Sequence, residues 1–149
     1  MPEAKLFKRA ELPFKDCRTP SGVTQTARTI TGAISKHMGA GMEIGDDVCI
    51  HWTTLYDEVL FIHSGTMIVR TDAGEFDCKP GDIVWLPEGV TLDYDMTGRR
   101  CEYFYALYPF DWAKRNNMEE PSAKMTDKRS NPNGLSRPLG SLKLTIRLM

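Results

Sequence analysis

The chain has 149 residues, 41% of them hydrophobic and 26% charged, a size and composition suited to one globular domain with its own core. No apolar run approaches the ~20 residues that cross a bilayer, and the N-terminal Met-Pro-Glu-Ala-Lys lacks the apolar stretch of a signal peptide. A cytoplasmic protein with no membrane partner is expected. The net charge of −1 is unevenly spread: residues 1–112 carry 11 basic and 17 acidic side chains, residues 113–149 carry 8 and 3. The basic tail lacks the interleaved aromatics of a base-stacking surface, so no nucleic-acid partner is expected. A solvated tail, or one docked on the acidic body, fits better. Cys17, Cys49, Cys78 and Cys101 are scattered without a C-x-x-C pair, which argues against a zinc cluster or a disulfide framework.

Three segments follow in chain order: an N-terminal arm or edge strand (1–27), a barrel (28–112) and a basic extension (113–149). The arm, with Pro13, Pro20 and Gly22, reads as irregular. From Arg28 to Tyr108 short β-like runs alternate with turn signals. The runs are Arg28–Ile34, Met38–Ile44, Val48–Thr54, Asp57–Ser64, Thr66–Thr71, Gly74–Lys79, Ile83–Leu86, Val90–Asp95 and Arg100–Tyr108. Gly39-Ala40-Gly41 reads as a bulge or kink. Met67, Val69 and Thr71 share one face, and Val90, Leu92 and Tyr94 oppose Thr91, Asp93 and Asp95, as in sheets with one packed side. On the strand Arg100–Tyr108, period two alone does not decide whether Tyr103 and Tyr105 or Glu102 and Phe104 point inward. No helical period appears before Trp112. After it only Leu142–Met149 alternates again. The chain is expected to be all-β and single-domain.

Two spaced motifs sharpen this. Gly45 is followed after five residues by His51, then Thr53, Glu58 and Gly65; Gly81 is followed after five residues by Pro87, then Gly89, Leu92 and Met96. This glycine and proline skeleton resembles that of the cupin superfamily, which implies a jelly-roll β-barrel or sandwich with its function inside the barrel. In metal-binding cupins three histidines and a glutamate hold the ion. Here only His51 and Glu58 stand at such positions, with Thr53 and Leu92 in place of the other two. A leucine cannot coordinate and a threonine hydroxyl is a poor ligand, so no cofactor is expected beyond a weakly held divalent metal on His51 and Glu58. A closer resemblance, to the cupin domain of the ethanolamine-utilisation protein Q family, runs from Met38-Gly39-Ala40-Gly41 through Trp52-Thr53, Tyr56-Asp57-Glu58, Pro80-Gly81-Asp82 and Pro87-Glu88-Gly89 to Tyr105–Pro109 and Asp111-Trp112. It implies amine catabolism in bacterial microcompartments and an acetate-kinase-like phosphotransfer.

In the motif's frame, Cys49, His51 and Thr53 face the barrel interior and meet Glu58, with Leu92 opposite. Glu58 lies among Val59, Leu60, Phe61 and Ile62, where an inward carboxyl is costly unless paired. Glu58, His51 and Tyr56 are therefore the candidate catalytic residues. Cys49, Thr53, Leu92 and Tyr105 are the candidate pocket residues, Tyr105 on the strength of the resemblance. His63 is out of phase and belongs outside. The expected function is acid–base, isomerase, lyase or phosphotransfer chemistry on a small polar metabolite. The alternatives are a binding or structural cupin that has lost its metal, and a metal-dependent enzyme with an incomplete ligand set. Outward Val59 and Phe61 and open sheet edges suggest a homodimer.

Overall fold

A computed structural model describes residues 1–19 and 22–118; Leu142–Met149 and most of the basic extension lie outside them. Ten strands form two antiparallel sheets. They are β1 (Lys15–Thr19), β2 (Gly22–Ile30), β3 (Gly39–Asp46), β4 (Cys49–Thr53), β5 (Asp57–Gly65), β6 (Met67–Thr71), β7 (Gly74–Cys78), β8 (Ile83–Leu86), β9 (Thr91–Asp95) and β10 (Arg100–Tyr108), and a single helical turn, α1 (Trp112–Arg115), follows them. The larger sheet runs β1-β2-β3-β10-β5-β8 and the smaller β4-β9-β6-β7. Among the described residues no helix is long and apolar enough to cross a membrane.

Alternation drives the closure. On β5, Glu58, Leu60 and Ile62 are buried while Phe61 and His63 are exposed. Leu86 on the neighbouring β8, and Met67 and Val69 on β6 and Leu92 on β9 from the facing sheet, join them in the core. The core thus sits between the sheets, where a pleated strand delivers every second side chain.

The arm supplies a strand at the edge of the larger sheet. β1 pairs antiparallel with β2, and β2 in turn pairs with β3. Charged and hydroxyl residues such as Lys-Asp-Cys-Arg-Thr suit a strand at a sheet edge, where one side stays wet, but they carry little hydrophobic signal. Gly39–Asp46 runs unbroken, and the register shift expected at Gly39-Ala40-Gly41 falls instead on β2, between Arg28 and Ile30. Upstream, Arg9 grips the buried Glu102 carboxylate on the outer face of the large sheet through both guanidinium donors, Nη2 to Oε2 at 2.9 Å. Its guanidinium holds that carboxyl below the usual carboxylate range.

The motif glycines serve two different ends. Gly65, Gly81 and Gly89 adopt φ of 71°, 93° and 92°, which favours glycine. Gly45 does not: a Cβ there would lie 2.2 Å from Met96 Sδ, so its missing side chain admits fully buried Met96, and Asp47 takes the left-handed turn at φ 48°.

Two chain crossings between the sheets lie side by side. The β4–β5 connection carries buried Thr54, whose hydroxyl donates to the Pro87 carbonyl at 2.8 Å. Thr54 N–H donates to Val90 O and Gly89 N–H donates to Thr54 O. Glu88 N–H donates to Asp57 Oδ1. The Pro-x-Gly turn between β8 and β9 is thereby tied to the turn that leads into Glu58.

Candidate active site in the barrel interior

The β4–β9 register decides which candidates meet. Ile50 pairs with Tyr94 and Trp52 with Leu92, and all four are buried in the core; His51 pairs with Asp93 and Thr53 with Thr91. Side chains directly opposite on antiparallel strands share a face, so His51 and Thr53 lie on the outside of the smaller sheet. The expected convergence of His51 with Glu58 is therefore corrected. Burying an indole and an isoleucine outweighs burying an imidazole and a hydroxyl, and the strand turns accordingly. His51 Nδ1 lies 2.6 Å from Asp93 Oδ1, and the Thr53 and Thr91 hydroxyls bond each other at 2.8 Å. Cys49, opposite Asp95, follows the same outer register, although it is buried.

Glu58 does point inward and is 6% exposed. Tyr94, from the opposite sheet, donates its hydroxyl to Glu58 Oε2 at 2.7 Å. Burial disfavours the charged form, and the carboxyl is pushed up to about 7, with Tyr94 opposing the shift and Glu43 adding to it. Leu92 lies beside it, fully buried. Tyr56 is packed rather than free at the barrel mouth: Trp52 Nε1 donates to its hydroxyl at 3.1 Å. Its ring lies 4.8 Å from that of Trp112, which in turn stands edge-on to Trp52 at 5.9 Å.

The open question on β10 is resolved by its neighbours. Tyr105 pairs with Leu60 and Gly41, and Tyr103 with Ile62 and Glu43, so both tyrosines share the concave face with Glu58. That face brings a second carboxyl, Glu43, which sequence reasoning missed. Glu43 bonds Thr24 and Tyr103, lies within reach of Arg28, and is pushed up to about 7, mainly by burial. Arg28 donates to the Tyr105 hydroxyl. At Gly41 a Cβ would come within 2.8 Å of that hydroxyl, so a glycine lets Tyr105 lie across β3. Tyr94, Trp52, Glu43, Tyr103, Arg28 and Trp112 were not among the candidates. The usable signal was the polar residue two places on from each glycine or pocket position, Gly41 to Glu43 and Leu92 to Tyr94.

A transition metal does not fit this interior. The inward positions around Glu58 carry Ile50, Trp52, Leu92 and Tyr94, which offer no imidazole or thiolate. Among the described residues no three His, Cys, Asp or Glu groups converge to hold an ion.

Two antiparallel sheets closed over an inward set of polar and apolar side chains form the cupin jelly roll, and an RmlC-like cupin from Shewanella frigidimarina shares the fold (TM-score 0.54, 13% identity, covering 73% of this chain and 95% of that one). Within that class the sequence matches the family of the ethanolamine utilisation protein EutQ over residues 2–114, and the chain belongs to that family. A Clostridioides difficile relative named acetate kinase EutQ is 28% identical over 109 residues, covering 73% of this chain and 69% of its own. The solved structure of the Clostridium difficile EutQ protein superposes with a TM-score of 0.58 at 27% identity, covering 62% of this chain and 73% of that one. The chain spans about a third of the length of the Escherichia coli relative, which bears the same name.

Proposed function

We propose that the chain is an acid–base enzyme acting on a small polar metabolite inside the barrel, with Glu58 as the proton carrier and Tyr94 as its orienting donor. The observation behind this reading is the Glu58 carboxyl itself: buried, bonded by one tyrosine, and poised near neutrality. A group titrating close to the working pH can both give and take a proton, and such transfer contributes roughly 10²–10⁴ in rate. Tyr94 fixes the carboxyl's orientation, and the surrounding apolar side chains exclude water that would otherwise compete for the proton. Isomerisation or elimination suits this equipment without a metal.

A melting-temperature screen against small metabolites identifies ligands by mass action, and hits are then assayed for turnover. Glu58→Gln should reduce turnover of the substrate by at least 100-fold while leaving the fold intact by circular dichroism. Full activity in that variant would sink the reading. A second reading, phosphoryl transfer to a carboxylate, is favoured by the name shared by the relatives. Its signature is ADP formation from ATP that requires added acetate, lost in Glu58→Gln.

A further inference from the structure

The sandwich is open along one side. β8 ends the larger sheet and β7 ends the smaller, and among the described residues no strand pairs with the far edge of either. A groove of about 320 Å³ runs between them, lined by Phe76 and Asp77 on one wall and by Asp82, Ile83, Val84 and Trp85 on the other. Phe76 pairs with Val69 across β6 and β7, and side chains directly opposite share a face. Val69 is fully buried in the core, yet Phe76 is 52% exposed: it points into the sandwich where no further strand covers it. Ile83 and Trp85, on the outer face of β8, are 70% and 60% exposed. Natural sheets cover or charge such edges, and an apolar border left bare marks an interaction surface. The rim of the groove is acidic. Asp82 spends one oxygen on the Lys79 N–H, and Lys79 and Arg99 approach Asp77 only at 3.9 and 4.0 Å, exposed pairs that hold their partners weakly.

We propose that this open side takes the chain's own segment Leu142–Met149 as an added strand along β8. The segment lies outside the described residues, and its sequence alternates: Leu142, Leu144, Ile146 and Leu148 fall on one side, Lys143, Thr145 and Arg147 on the other, the pattern of a strand with one apolar face. A strand added to an edge continues its pleat. The four aliphatic side chains then face inward over Phe76 and beside Val84, while Lys143 and Arg147 lie outside with Ile83 and Trp85, where a cation rests on the indole face. Charge selects this occupant over a second copy of the chain. Residues 1–112 carry 11 basic and 17 acidic side chains, so a second body brings like charge to an acidic rim, whereas residues 113–149 carry 8 basic and 3 acidic. Reach is not limiting. Residues 119–141, extended, span about 75 Å, against a domain roughly 35 Å across, and the tether holds the segment at an effective concentration on the order of millimolar. The inference stands apart from the chemistry of Glu58.

Hydrogen exchange resolved over Ile83–Leu86 and Gly74–Cys78 of the full chain tests this, compared with the double variant Leu144→Asp, Ile146→Asp, which leaves the barrel untouched. β8 should exchange at least tenfold more slowly in the parent than in the variant. Acrylamide quenching, dominated by Trp85 because Trp52 is buried and Trp112 half-buried, should rise about twofold in the variant. The pair Lys143→Glu, Arg147→Glu keeps the apolar face and should lose part of the protection, as should the parent in about 0.5 M salt. Equal exchange of β8 in the parent and in the Leu144→Asp, Ile146→Asp protein would overturn the inference. So would protection that grows as the protein is concentrated from about 1 to about 100 µM, which marks a second copy as the occupant.

Discussion

The barrel interior around Glu58 and the outer surface around His51 are built from the same short stretch of sequence. Each pairs a carboxylate with a polar partner reached across strands: Tyr94 to Glu58 at 2.7 Å, His51 to Asp93 at 2.6 Å. They differ in what surrounds them. Inside, apolar and aromatic neighbours push the carboxyl up to about 7; outside, the His51 side chain keeps 27% of its surface in water. One residue of register separates the two environments. A dyad that reads as catalytic from its residue types therefore has its chemistry assigned by the pleat.

Three substitutions break or sharpen that contrast. The largest effect belongs to Trp52, whose indole is 1% exposed. Trp52→Ala should cost about 3–5 kcal/mol in urea unfolding, since it opens a cavity beneath Tyr56 and Trp112; a loss below 1 kcal/mol would mean that the strand presents its other face.

Glu58 comes next. An unfolded glutamate titrates near 4.3 and the native one at about 7. Between those values the native state binds more protons. Its stabilising contribution is complete below the unfolded pKa and is lost as pH rises through 7, on the order of 3 kcal/mol in all. Unfolding free energies at pH 5 and pH 8 should show this fall in the parent chain and a smaller one in Glu58→Gln, the residue of it coming from Glu43. Equal slopes in the two proteins would remove Glu58 as its source.

The smallest effect is expected at His51. The side chain is partly solvated and its bond to Asp93 lies on the outer face, so His51→Ala should change stability by about 1 kcal/mol or less. Turnover of any substrate found should stay within threefold of the parent rate. A 100-fold loss would return the imidazole to the mechanism.

Much of the fold was legible because turn chemistry and alternation agreed: the runs Ile83–Leu86 and Arg100–Tyr108 coincide with β8 and β10, each bounded by glycine or proline. The first two strands were legible only as an arm or edge strand, because lysine, aspartate, arginine and threonine have the composition of a loop until a neighbour pairs with them. The site was half legible. Glu58 faces inward as the skeleton implies and Tyr105 as the closer resemblance implies, but the motif's frame also placed His51 inside. The neighbouring pair Ile50 and Trp52 carried the opposite instruction in plain hydrophobicity. For Glu43 the sequence offered only its two-residue offset from Gly41, since its meaning comes from Tyr103 and Thr24 on other strands.

Thr54 has a consequence beyond its own bonds. Because it fastens the Pro87–Gly89 turn to the approach of β5, two of the six places where the backbone passes from one sheet to the other are clasped together at one rim. At the other rim Asp47 N–H donates to Arg99 O and Met96 N–H to Val48 O, so both ends are tied and the separation between Glu58 and Tyr94 is set before any guest arrives. The barrel behaves as a vessel laced at both ends, whose width is chosen by its own chain and to which the ligand must conform.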